Sequence, residues 1–161
     1  MLTIRQFADF LNMLRSGQAY DGSGKISPKQ ELDQILDEIL TVRVPWRAEW
    51  LDAKFTPSGE KYNITYHEIN PDRTLEQVTK PLEDCLMEDK TPSIDLNHWL
   101  QHANTQGLPP SSTPQGALYY WHPVADRVAM FGADSCWVDL LCSGYPRSSD
   151  AVLGVRVARV K

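Results

Sequence analysis

Only three cysteines occur among the 161 residues, Cys85, Cys136 and Cys142, and an odd number cannot close a disulfide framework. Cys136 and Cys142 fall in one predicted strand, about 20 Å apart when extended. A bridge tolerates Cα separations of no more than about 7 Å, so reduced thiols in a cytosolic protein are expected. No apolar run approaches the roughly 20 residues that span a bilayer. The first residues, MLTIRQFADFLNML, lack the basic n-region and continuous apolar core of a secretory signal. Runs of Lys or Arg are absent, and the net charge of −5 argues against a nucleic-acid partner, whose phosphates need a basic surface. Glycine is never spaced to cradle a phosphate: DGSGK (21–25) lacks the spacing and the following Ser or Thr of a P-loop. Neither GADSC nor CSGYP builds the G-x-S-x-G elbow of a serine hydrolase.

What is present is an ordinary globular composition, 42% hydrophobic and 23% charged. The length suits one domain that buries about two-thirds of its unfolded surface. Thr3 and Gln6 have the spacing of a capping box, Leu2 and Phe7 that of a hydrophobic staple. Phe7, Leu11 and Leu14 continue as an apolar stripe, with Gly17 as the stop. A second helix is expected from Ser27, with Pro28 at its first position and Gln30 completing another box. Its apolar face is Leu32, Ile35, Leu36, Ile39 and Leu40, and its acidic residues Glu31, Asp33, Asp37 and Glu38 read as a solvated side.

From Thr41 the period changes. AEWLDAKFT and KYNITYHEI flank PSGE and predict a β-hairpin, with Tyr62, Ile64 and Tyr66 on one face. TLEQVTKPLEDCLMED reads as one helix broken at Pro81 or as two short pieces. A short helix follows Asp95, carrying Leu96, Trp99, Leu100 and Ala103 on one face. GLPPSSTPQG (107–116) is the most linker-like stretch. The last third holds four strand-like runs, LYYW, RVAMF, CWVDLLC and VLGVRVARV. These features predict an α+β domain over residues 1–161, with N-terminal helices packed on an antiparallel sheet that ends in a C-terminal β-meander. If the linker-like stretch divides it, the parts are 1–106 and 117–161.

Candidate chemistry is sparse. His98 and His102 are four apart, the helical spacing of two zinc ligands, but Trp99 stands where a metalloprotease has its glutamate. A third ligand would have to come from Asp95, His67 or His122. Cys136 and Cys142 lie in apolar β context and read as small buried hydrophobes. Acidic Glu83 and Asp84 should blunt the Cys85 thiol by raising its pKa. Five tryptophans, Trp46, Trp50, Trp99, Trp121 and Trp137, are a high load; most are expected in the core. Tyr119, Tyr120, Trp121 and His122 cannot all face one side of a strand, so at least one large aromatic of this run meets solvent, a second layer or a partner.

Trp137-Val138-Asp139-Leu140-Leu141-Cys142, followed by LGVRVAR (153–159), resembles the closing strands of the C-type-lectin-like fold. The ending is also similar to the terminal strand of formylglycine-generating-enzyme-like and phage variable proteins. Val138 stands where the lectin calcium site has asparagine, and a final-strand cysteine to pair with Cys142 is missing. The resemblance therefore implies a calcium-free, disulfide-free protein-binding scaffold. The expected binding residues are Tyr120, Trp121, His122, Trp137 and Asp139, with no cofactor and no metal beyond the weak pair His98 and His102. The leading expectation is a non-enzymatic cytosolic protein-interaction module, such as a phage- or prophage-encoded inhibitor or adaptor, with a protein partner and neither nucleic acid nor membrane. The alternatives are a small hydrolase using His98, His102 or His122, and a structural oligomer subunit.

Overall fold

The computed structural model describes residues 1–148 and 151–156. The first helix, α1, spans Ile4–Ser16; Thr3 and Gln6 close the capping box and Gly17 ends the helix at φ 72°. Ile4, Phe7, Leu11 and Leu14 form its buried stripe. The second, α2, spans Lys29–Leu40 and buries Leu32 and Ile39. Its start departs from expectation. Pro28 is the cap, with extended backbone (ψ 139°), and no side chain caps the helix, so the Ser27–Gln30 box does not form. The preceding loop is held as a small ribbon by the Tyr20–Ile26 bridge and the Ser27 N–H bond to the Ala19 carbonyl.

Strands β1 (Arg47–Ser58) and β2 (Lys61–Ile69) make the expected hairpin, with Gly59 in the turn at φ 63°. Phe55 pairs with Ile64, and both are buried. The following segment is not helical: β3 (Leu75–Pro81) pairs antiparallel with β2. Val78, Leu82, Cys85 and Leu86 imitate a helical period, but a turn before them decides otherwise. The Asn70 N–H donates to the Thr74 carbonyl at 2.9 Å, the Thr74 N–H to Asp72 Oδ1 at 3.0 Å, and Arg73 takes φ 69°. This turn returns the chain to the open edge of β2.

After β4 (Lys90–Ile94), Asp95 caps α3 (Leu96–His102) by accepting the His98 N–H at 2.6 Å. The stretch 107–116 is packed, not loose. Leu108 is fully buried, Leu86 N–H donates to the Pro109 carbonyl at 2.8 Å, and Asp95 N–H to the Pro114 carbonyl at 2.8 Å. Gly107, at φ 90°, lies so close to α1 that a Cβ would stand 2.2 Å from the Arg5 nitrogen.

The remaining strands are β5 (Leu118–Trp121), β6 (Arg127–Ala133), β7 (Val138–Gly144) and β8 (Leu153–Gly154). Among the described residues the sheet has eight strands, in the order β3-β2-β1-β6-β7-β5-β4, with β8 beside β1. The fold is α+β, with a mixed, mostly antiparallel sheet. The C-terminal part is more than a meander. The β6–β7 hairpin sits between β1 and β5; β5 runs parallel to β7, and β8 parallel to β1 at Ala48 and Glu49. Residues 157–160 of the VLGVRVARV run lie outside the described residues.

The helices all meet the same face. Phe7 of α1 and Trp99 of α3 pack on Phe131 with ring centroids at 4.9 and 6.3 Å, and Ile39 of α2 lies nearby in the buried cluster. Burying that apolar face is the main source of stability. Trp99 is fully buried and its indole N–H donates to the Gly107 carbonyl at 2.8 Å.

Candidate site on the uncovered face of the sheet

Strand alternation turns Leu51, Phe55, Phe131, Leu140 and Tyr120 toward the helices, and their neighbours in sequence toward the other face. Register then sets two rows across four strands. Trp50 of β1 pairs with Met130 of β6, Met130 with Leu141 of β7, and Leu141 with Trp121 of β5. All four are large and half-buried. The second row runs Ala48, Gly132, Asp139, Tyr119. There the side chains shrink to a methyl, nothing, and a carboxylate, and Ala48 and Gly132 are closed to solvent. A Cβ on Gly132 would stand 3.1 Å from Asp139 Oδ1 and 3.2 Å from the Ala48 methyl, so even one added carbon would crowd the row.

One end of this row is aromatic. Trp137, just before β7, stacks on Tyr119 at 5.0 Å and 25°; Tyr119 stacks on Trp121 at 6.0 Å, and Trp121 meets Trp137 at 6.4 Å. Asp139 lies beside this platform, and its carboxyl pKa is pushed up to about 6. Burial is the main cause and the Asp134 charge adds to it, while hydrogen bonding from the Trp137 side chain and the Gly132 backbone acts against it. Among the described residues no Lys, Arg or His lies at ion-pair distance from Asp139.

Of the expected binding residues, Trp121, Trp137 and Asp139 come together here. Tyr120 does not. Its ring is fully buried and its hydroxyl donates to the Leu86 carbonyl at 2.9 Å, because its parity in β5 points it at the helices. His122 follows the end of β5 and is tied to Asp89, with Nδ1 2.7 Å from Oδ1 and the backbone N–H on the same oxygen. Tyr119, Trp50, Met130 and Leu141 were missed; fixing the inward parity of Tyr120 would have found Tyr119. The expectation that most tryptophans are core is overturned. Only Trp99 is fully buried; Trp46 is 36% exposed, and Trp50, Trp121 and Trp137 are half-buried on the open face.

The histidines are dispersed. His98 and His102 stack at 4.2 Å, and His102 Nδ1 lies 3.0 Å from the His98 carbonyl oxygen, but no third ligand joins them. Among the described residues no three metal-ligating side chains converge. His67 is engaged by Asp52, with Nδ1 3.1 Å from both carboxylate oxygens, beside a polar cleft of about 410 Å³. A larger cleft, of about 610 Å³, lies between residues 43–49 and 151–156, where Glu49 is already paired with Arg156 at 2.5 and 2.9 Å. Cys142 is buried as expected, whereas Cys136 falls in the turn before β7 and is exposed. Burial first, then Asp84 and Glu83, push the Cys85 thiol up to about 12. No helix among the described residues is long and apolar enough to cross a membrane.

Comparison with protein families, curated proteins and solved structures finds no match to this chain.

Proposed function

We propose that this chain is a non-enzymatic protein-interaction module that docks a partner on the open face of its sheet. The observation that carries the reading is the continuous row Trp50–Met130–Leu141–Trp121, extended by Tyr119 and Trp137, which no described helix covers. Contiguous apolar surface of this kind marks interaction sites, and aromatic anchors dominate their energetics. A cytoplasmic inhibitor or adaptor, phage- or prophage-encoded and acting on a host protein, fits this mode of action. The resemblance of residues 137–142 to a lectin-like scaffold without calcium supports the same reading. The test is capture of partners from native host lysate with wild-type, Trp121→Ala and Leu141→Asp chains, and with Thr79→Ala on the distant β3 as control. The reading requires a captured protein that survives Thr79→Ala and is lost in both face variants; capture indifferent to the face variants refutes it.

A further inference from the structure

Strand β3 ends the sheet, and among the described residues no strand lies on its outer side. Which of its backbone groups face outward follows from the two ends of its pairing with β2. The Asn70 N–H donates to the Thr74 carbonyl and the Leu82 N–H to the Tyr62 carbonyl, both at 2.9 Å. In the unbroken antiparallel register these are hydrogen-bonded pairs, and such pairs recur at every second residue. Thr74, Glu76, Val78, Lys80 and Leu82 therefore spend their N–H and C=O groups on β2, while Leu75, Gln77, Thr79 and Pro81 turn theirs away. The Pro81 carbonyl bears this out, since it accepts the Gln106 side-chain N–H at 2.8 Å from outside the sheet. Gln106 thus closes the edge at one end, and the Asn70–Thr74 turn closes it at the other. Leu75, Gln77 and Thr79 remain as open rungs, without a bulge, on a strand whose side chains are exposed except for half-buried Val78. The group that completes such a row is an extended strand.

A second β3, antiparallel about a two-fold axis at Gln77, fits this edge rung for rung. Leu75 then lies opposite the partner's Thr79 and Gln77 opposite the partner's Gln77, each pair exchanging backbone hydrogen bonds. Glu76 faces the partner's Val78, and Lys80 the partner's Thr74, so no like charges stand directly opposed. Slipping the copies by one rung fails in either direction. One slip sets Leu75 against the Pro81 position that Gln106 fills, and the other sets Glu76 against Glu76. We propose that β3 pairs in this register with β3 of a second copy of this chain, joining the two sheets into one. This surface is separate from the docking face and does not depend on it. Few residues contribute, so the dimer is weak and forms with rising concentration. The charge of −5 on each copy makes added salt favour it.

Sedimentation velocity over a dilution series should show the mass rising from the 18.3 kDa of one chain toward twice that value. Gln77→Lys and Gln77→Glu each set like charges across the axis, and each should weaken association about fivefold. Mixed in equal amounts, the two variants should associate at least as tightly as wild type. Gln77→Pro removes an outward N–H, leaves every bond to β2, and should abolish association with an unchanged circular dichroism spectrum. A chain that stays single at about millimolar concentration, where a weak dimer would show, overturns the proposal and leaves the edge to a foreign strand. A dimer indifferent to the Gln77 variants, or one that the Lys–Glu mixture fails to restore, also overturns it. Loss in Leu141→Asp with retention in Gln77→Lys overturns it too, and moves the contact to the open face.

Discussion

Replacing Asp139 by Asn should stabilise the folded chain at alkaline pH and leave it unchanged in acid. The carboxyl pKa rises from an ordinary 3.8 to about 6 on folding. A shift of about two units, at about 1.4 kcal/mol each, sets an upper bound of about 3 kcal/mol. Water access and relaxation at this half-buried site lower the expected value to about 1–3 kcal/mol. The folded state holds the proton more tightly than the unfolded chain. The penalty is therefore absent at about pH 3 and below, grows as pH rises, and is complete above about pH 7. Asparagine keeps the shape and an acceptor oxygen but carries no charge at any of these values. Urea unfolding followed by far-ultraviolet circular dichroism should give a higher midpoint for the variant at pH 8, with an unchanged m-value, and coincident midpoints at pH 3. In thermal unfolding a gain of that size corresponds to about 2–12 °C in Tm. A variant no more stable than wild type at pH 8, or one with an equal gain at pH 3, refutes the claim that a desolvated charge sits at this position.

Three further outcomes follow from the packing. Trp99→Phe removes the donor to the Gly107 carbonyl and part of a fully buried ring, and should lower stability by about 2–3 kcal/mol in urea titration. Gly107→Ala places a Cβ 2.2–2.6 Å from the Ile4 and Arg5 backbone at φ 90°; a loss above about 3 kcal/mol, or failure to accumulate folded protein, is expected, and a near-neutral change would contradict the close approach. Titration with a thiol-reactive dye at pH 8 should modify Cys136 alone in the folded chain, with Cys85 and Cys142 reacting only in denaturant.

Local features were legible in the sequence. The Thr3–Gln6 box, the Gly17 stop, the 57–60 turn and the short helix after Asp95 each depend on a few neighbouring residues, and each stands in the structure. The 75–81 segment was misread because its apolar spacing fits a helix, while the Asn70–Thr74 turn and the open edge of β2 act through pairing outside the segment. The candidate site was half visible for the same reason. Alternation shows that Tyr119 and Trp121 share a side, but not which side is buried. Nothing local places Trp50, Met130 and Leu141 in one row with Trp121, since that needs the registers of four strands, one of them parallel. Asp139 carries no local sign of its withdrawal from water, which arises from the same assembly.

The position of the β6–β7 hairpin decides how the molecule comes apart. Because β5 lies beyond β7 although it precedes β6 in the chain, residues 127–144 are the sheet's sole lateral tie, among the described residues, between β1 with its neighbours and the β5–β4 pair. Prising that ribbon free leaves β5–β4 as an isolated pair, too narrow to persist in water, and strips Phe131 and Leu140 from the core that the helices cover. Opening there thus dismantles the core that both sides of the sheet share. Backbone amides of Phe131 and Leu140 should exchange with solvent only when the whole molecule melts, while outlying β3 frays independently and trades its hydrogens far sooner.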